Sequence, residues 1–85
     1  MNRRRLLRRL SQGALSNVKF AEVRDLVEAF GFRLARSRGS HHIFTHPNVP
    51  DLINLQEVRG EAKPYQVRQF LRLVERYNLT LEDER

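Results

Sequence analysis

Phe32-Arg33-Leu34-Ala35-Arg36-Ser37-Arg38-Gly39-Ser40-His41-His42-Ile43-Phe44-Thr45-His46 is the stretch from which the fold can be read. Its first part alternates Phe32, Leu34 and Arg36 with Arg33, Ala35 and Ser37, the period of two expected of a strand with unlike faces. Arg38-Gly39-Ser40 supplies turn chemistry and His41 to His46 a second strand, so the spacing predicts a β-hairpin. Pro47, Asn48 and Pro50 mark the next turn, and Asp51 to Gln56 follows as a third strand with Ile53 and Leu55 on one side.

On either side of these strands the period becomes helical. Upstream, Phe20, Val23, Val27 and Phe30 follow an i, i+3, i+7, i+10 pattern, and Gly31 can take the left-handed conformation that closes a helix. Downstream, Pro64 suits a first helical turn, where its missing N–H would be unpaired anyway. Val67, Phe70, Leu71, Val74 and Tyr77 then form one apolar stripe, with Asn78 as its stop. Two helices on one face of a three-stranded antiparallel sheet bury both stripes and the sheet's inner face, which gives a two-layer α+β domain of order α-β-β-β-α over residues 18–79. The other sheet face stays open to a ligand. Residues 1–17 are a basic N-terminal extension, in which Leu6, Leu7 and Leu10 have the spacing of a short optional helix before the break at Ser11-Gln12-Gly13. Residues 80–85, with Glu82, Asp83 and Glu84, form an acidic tail expected to fray.

Eighty-five residues allow one small domain and exclude a second catalytic lobe or a deep pocket for a bulky cofactor. The absence of cysteine removes disulfides, thiolate zinc sites and thiol catalysis, and fits a cytoplasmic protein. No apolar run approaches the roughly 18 residues of a membrane span. The basic start from Met1 to Leu10 lacks the apolar stretch of a signal peptide, so export is not expected. Charge is uneven: residues 1–38 carry ten Lys or Arg against three Asp or Glu, or +7, whereas residues 39–85 carry six against seven, or −1. Such asymmetry in a small domain favours a polyanionic partner, because neutralising phosphates releases their counterions. A solvated, repelling tail is the plain alternative for the cluster between Arg3 and Arg9.

All three histidines lie between Gly39 and His46, which first suggests a metal. In a strand, however, His41 and His46 point to opposite faces, and His42 and His46 stand roughly 13 Å apart at about 3.3 Å per residue. A mononuclear zinc site needs ligands about 2 Å from one point, so no metal is expected. Alternation then separates the histidines. If Phe44 faces the core, His42 and His46 share its side, while His41 joins Ile43 and Thr45 on the open face. There His41 follows Gly39-Ser40, a turn that lets a phosphate approach the backbone, with Arg36 and Arg38 just upstream as cations. A free imidazole exchanges protons near neutral pH, as phosphodiester cleavage requires. Arg68, Arg72 and Arg76 add a basic ridge to the last helix, able to meet backbone phosphates or simply to be solvated. Tyr65 and Phe32 can stack on bases or pack in the core.

Gly39-Ser40-His41-His42-Ile43-Phe44-Thr45-His46-Pro47, after an amphipathic helix and an Arg-rich strand and before a third strand and closing helix, resembles the HicA family of toxin–antitoxin ribonucleases. The resemblance covers roughly Phe20 to Leu79. It implies a fold similar to double-stranded-RNA-binding domains, metal-independent cleavage of mRNA that arrests translation, and neutralisation by a HicB antitoxin. It also implies no cofactor and no membrane partner. By the same resemblance His41 is the catalytic residue and Gly39 the motif glycine. Arg36, Arg38, Gly39, Ser40 and Lys63 are the candidate RNA contacts around His41. Where many members read Val-Pro-His-Pro after the third strand, this chain reads Asn54-Leu55-Gln56-Glu57-Val58, followed by an expected loop from Gly60 to Tyr65, which marks a divergent branch. Two other readings of the same residues stay open: a non-catalytic RNA-binding module of this fold, and a domain whose basic face docks an acidic protein.

Overall fold

Gly39 takes φ of +59° at the first central position of the two-residue turn joining β1 (Arg33–Arg38) to β2 (His41–His46), while Ser40 keeps negative φ. This is the II′ pattern, whose twist matches that of the strands it connects, and it explains why glycine stands there. In the computed structural model, which describes residues 2–81, the predicted hairpin is thus present. The Pro47-Asn48 turn leads into β3 (Val49–Val58), which pairs antiparallel with β2. Arg59 and Gly60, with φ of +54° and +80°, then turn the chain into β4, Glu61–Ala62. Positive φ at both central residues belongs to a I′ turn. Strand order in the sheet is β1-β2-β3-β4.

The protein is an α+β domain, with four antiparallel strands where three were expected. Two expectations are thereby corrected. The third strand does not stop at Gln56: the divergent stretch Asn54 to Val58 is the end of β3, which runs on because its final pair of residues finds β4 as a neighbour. The segment from Gly60 to Tyr65 is turn, strand and helix start, since Pro64 opens the last helix. Lys19 bridges to Glu61, with Phe20 N–H donating to Gly60 O (2.9 Å) and Ala62 N–H to Val18 O (2.9 Å), so the short fourth strand is held from both sides.

Three helices accompany the sheet: α1 (Arg3–Ser11), α2 (Phe20–Ala29) and α3 (Pro64–Arg76). All three end alike, with a left-handed residue just past the cap: Gly13, Gly31 and Asn78. In each, paired bonds close the last turn, for example Phe32 N–H to Val27 O (3.3 Å) and Gly31 N–H to Glu28 O (3.0 Å). The stop residues read from the sequence are therefore the ones used. Val23, Leu26 and Val27 of α2 and Val67 and Phe70 of α3 are fully buried, and they share one core with Phe44 of β2 and Ile53 and Leu55 of β3.

The N-terminal stretch is built into that core. Asn2 caps α1, its side chain accepting from Arg5 N–H at 3.0 Å, and Leu6, Leu10 and the following Leu15 are buried. Arg3 fixes the helix laterally through a two-pronged pair to Asp25, Nε to Oδ2 at 2.8 Å and Nη2 to Oδ1 at 2.9 Å. The hydrogen bond from Arg3 holds the Asp25 carboxyl below its ordinary value, against a smaller opposing effect of burial. At the other end Leu81 is buried too, so the core reaches past residue 79; the acidic residues Glu82 to Glu84 lie outside the described range.

Leu34 pairs with buried Phe44 and so shares the inner face, yet it is 48% exposed, and every residue of β1 is exposed. The register slips between Leu34 and Arg36, and the helices pack on β3 and β4, at the opposite side of the sheet from β1. A bulged edge strand beyond the helix layer has nothing to bury its apolar residue against.

Candidate functional site

Strand register decides which side chains meet. His41 pairs with Arg38 of β1 and Gln56 of β3, and Ile43, two residues on, pairs with Arg36 and Asn54. Residues opposite one another in a sheet share a face, so Arg36, Arg38, His41, Ile43, Asn54 and Gln56 belong to one surface. The next row on β2 confirms the alternation: His42 pairs with buried Leu55, and fully buried Phe44 with Ile53. The helices cover that inner face. His41 is exposed on the other, as the alternation predicted.

The three imidazoles do different work. His46 is held from two directions, its Nε2 3.1 Å from Phe30 O and its Nδ1 accepting from Asn48 N–H at 3.0 Å. Those partners require the tautomer protonated on Nε2 and leave neither nitrogen free. His42 sits half-buried with Nδ1 3.1 Å from Ser40 O and its ring centroid 4.8 Å from that of Phe20. His41 has one partner, the side-chain oxygen of Asn54, 3.4 Å from Nδ1. An amide oxygen can only accept, so in this contact Nδ1 is the donor, and Nε2 has no partner among the described residues.

Gly39 and Ser40 form the rim of this surface. A Cβ added at Gly39 meets nothing within 4 Å, so the space above the turn is open and the glycine is required by its φ alone. Ser40 contributes through its carbonyl, which accepts from Glu57 N–H at 3.0 Å and so ties the hairpin turn to β3. Arg36 and Arg38 are exposed on β1. Lys63 follows Ala62, and continuing the β3–β4 register would place it opposite Gln56. The ladder stops short of that pair: Gln56 N–H is taken at 2.7 Å by Oε1 of Gln66, which is 3% exposed. Lys63 instead caps α3, its carbonyl receiving Gln66 and Val67 N–H.

Asn54, Gln56 and Gln66 are the site residues that the sequence reading passed over. Asn54 was within reach: counting back from the His46–Val49 pair without a bulge already sets it opposite His41. The shift between Phe44 and His46 moves Gln56 into that place and leaves Asn54 diagonal, close enough for its side chain to reach the ring.

The assembled surface is a sheet face not covered by the helices, with exposed His41, two arginines beside it and backbone within reach of a ligand at the turn. Among the described residues no three His, Asp or Glu side chains gather as a metal-ligand group, and no helix is long and apolar enough to cross a membrane. A family model described as the HicA toxin of bacterial toxin–antitoxin matches residues 20–75, well over half of the chain. No curated protein and no solved structure matches it.

Proposed function

The chain belongs to the HicA toxin family of bacterial toxin–antitoxin systems, and from that membership we propose that it is an endoribonuclease that cuts mRNA in the cytoplasm, arrests translation and is neutralised by a HicB antitoxin. The observation that carries the reading is His41, exposed on the uncovered sheet face with Nδ1 engaged by Asn54 and Arg38 directly across the hairpin.

The reaction suited to one free imidazole is transesterification within RNA. The ribose 2′-hydroxyl attacks its own 3′-phosphodiester, His41 Nε2 takes the hydroxyl proton, and the P–O5′ bond breaks to leave a 2′,3′-cyclic phosphate. A protonated His41 can instead deliver the proton that the departing 5′-oxygen needs. Arg36 and Arg38, and Lys63 at the start of α3, offset the charge that builds on the phosphorane. Gly39-Ser40 leaves room for the phosphate to come down onto the turn. No metal is needed in this scheme because the nucleophile is intramolecular. One positioned acid–base group contributes about 10²–10⁴-fold, so a slow enzyme is expected.

Single-stranded RNA incubated with the protein in excess EDTA should be cut to 2′,3′-cyclic ends, and all-deoxy substrate should survive. His41→Ala should lose most of the rate while keeping its fold and should no longer arrest growth when induced. Activity abolished by EDTA and restored by a divalent ion would assign the nucleophile to metal-bound water. A folded His41→Ala protein as toxic as the parent would remove His41 from the chemistry. RNA bound tightly but never cut would leave a non-catalytic module on the same surface.

A further inference from the structure

The helix layer carries a second basic surface that the His41 site does not use. Five of the nine residues of α1 are arginines and none is acidic. Arg3 is turned onto Asp25, whereas Arg5, Arg8 and Arg9 are exposed. Buried Leu6 and Leu10 anchor the helix, so these guanidinium groups project from a fixed scaffold instead of a loose tail. Arg9 is further steadied by its bond to Ser16 O at 3.1 Å.

Beside α1 runs a cleft of about 340 Å³ lined by Leu7 and Ser11 of α1 and by Arg68, Leu71, Arg72 and Glu75 of α3. On α1, Arg8 lies three residues before Ser11 and therefore on the flank bordering this cleft. Arg68 and Arg72 stand one turn apart across it, about 6 Å along the axis at 1.5 Å per residue. Glu75 is the one acidic group at the cleft and offsets only part of this charge.

We propose that α1 and the Arg68–Arg72 row of α3 form a second RNA-binding surface, which holds the phosphate backbone of transcript flanking the segment presented to His41. The proposal rests on the RNA-cleaving reading of the sheet face and extends it. Three observations favour RNA over an acidic protein segment. First, the basic groups are all arginine, although the chain does use lysine at Lys19 and Lys63; the planar guanidinium fork matches a phosphate in a way that an ammonium does not. Second, the one-turn repeat along α3 is close to the separation of successive phosphates on a nucleic-acid strand. Third, the molecule measures only 33 × 26 × 20 Å, so both surfaces lie within reach of one RNA strand.

The test uses the full chain carrying His41→Ala, so that RNA is bound without being cut. Arg8→Gln, Arg68→Gln and Arg72→Gln are added together. All three positions are exposed, and glutamine keeps helix propensity, so the fold is retained. Affinity for a long single-stranded RNA is measured against salt, beside a short oligoribonucleotide able to cover only the sheet face. Single-stranded contacts contribute about 0.7 each to the slope of log affinity against log salt, so the variant slope should be shallower by about 2 with the long RNA and unchanged with the short one. An identical slope with the long RNA overturns the proposal and returns these arginines to a protein partner. Cleavage by the chain with His41 intact is scored separately: cutting together with an unchanged slope sinks this surface alone, whereas a changed slope without cutting sinks only the nuclease reading.

Discussion

His42→Ala should destabilise the fold and spare the chemistry, and His41→Ala should do the reverse. At His42 the substitution removes the bond from Nδ1 to Ser40 O, worth about 0.5–1.5 kcal/mol. It also removes the ring contact with Phe20, worth a further ~0.5–1.5 kcal/mol. Ser40 O keeps Glu57 N–H as a donor, so no acceptor is orphaned and the total stays near 1–3 kcal/mol. For a chain of this length that is a sizeable part of a stability on the order of 4–13 kcal/mol, and the melting temperature should fall by roughly 4–8 °C per kcal/mol. At His41 only an exposed 3.4 Å contact with Asn54 is lost, and a change below about 0.5 kcal/mol is expected. Urea unfolding followed by circular dichroism, run beside an RNA-cleavage assay, reads both effects. Should His41→Ala prove the more destabilising of the two, the assignment of inner and outer faces is one residue out of register, and the site built on it fails with it.

Leu10, 1% exposed, should cost about 2–5 kcal/mol when changed to alanine, measured by the same unfolding curves; a loss under 1 kcal/mol would mean that α1 is not part of the core. The Arg3–Asp25 pair gives a pH signature. Because the Asp25 carboxyl titrates below its ordinary value in the folded state, the pair stabilises above about pH 4 and loses that contribution as pH falls through the lower folded value. Both partners are partly solvated, so Arg3→Gln should cost no more than about 1 kcal/mol at neutral pH, and wild type and variant curves should converge in acid.

The parts of the fold that the sequence discloses are those governed by local periodicity. Phe20, Val23 and Val27 mark the inner side of α2, and Gly39 marks a turn, because each signal lies within a few residues. The two-residue β4 gives no periodicity, and its existence depends on Arg59-Gly60 folding it back on β3 and on residues 18–20 bridging to it from a distant part of the chain. The same limit applies to α1: spacing suggests a helix, but only tertiary contact tells an anchored one from a solvated one, as the burial of Leu6 and Leu10 does. At the site, alternation was enough to place His41 outward, whereas Asn54 required the cross-strand register, and a bulge alters that register.

The sequential strand order β1-β2-β3-β4 has a kinetic consequence. Apart from the Lys19–Glu61 bridge, every strand pairs only with its neighbours along the chain, each reached through a two-residue turn at Gly39-Ser40, Pro47-Asn48 or Arg59-Gly60. Closing such short loops sacrifices little chain entropy, and single hairpins form in about 1–10 μs. The meander can therefore zip up locally and offer α2 and α3 a template on which to dock, without a slow search for distant strand partners. A molecule unfolded by a chaperone or protease machine should thus rebuild the sheet face that carries His41 quickly, on a timescale far shorter than the synthesis of a new chain.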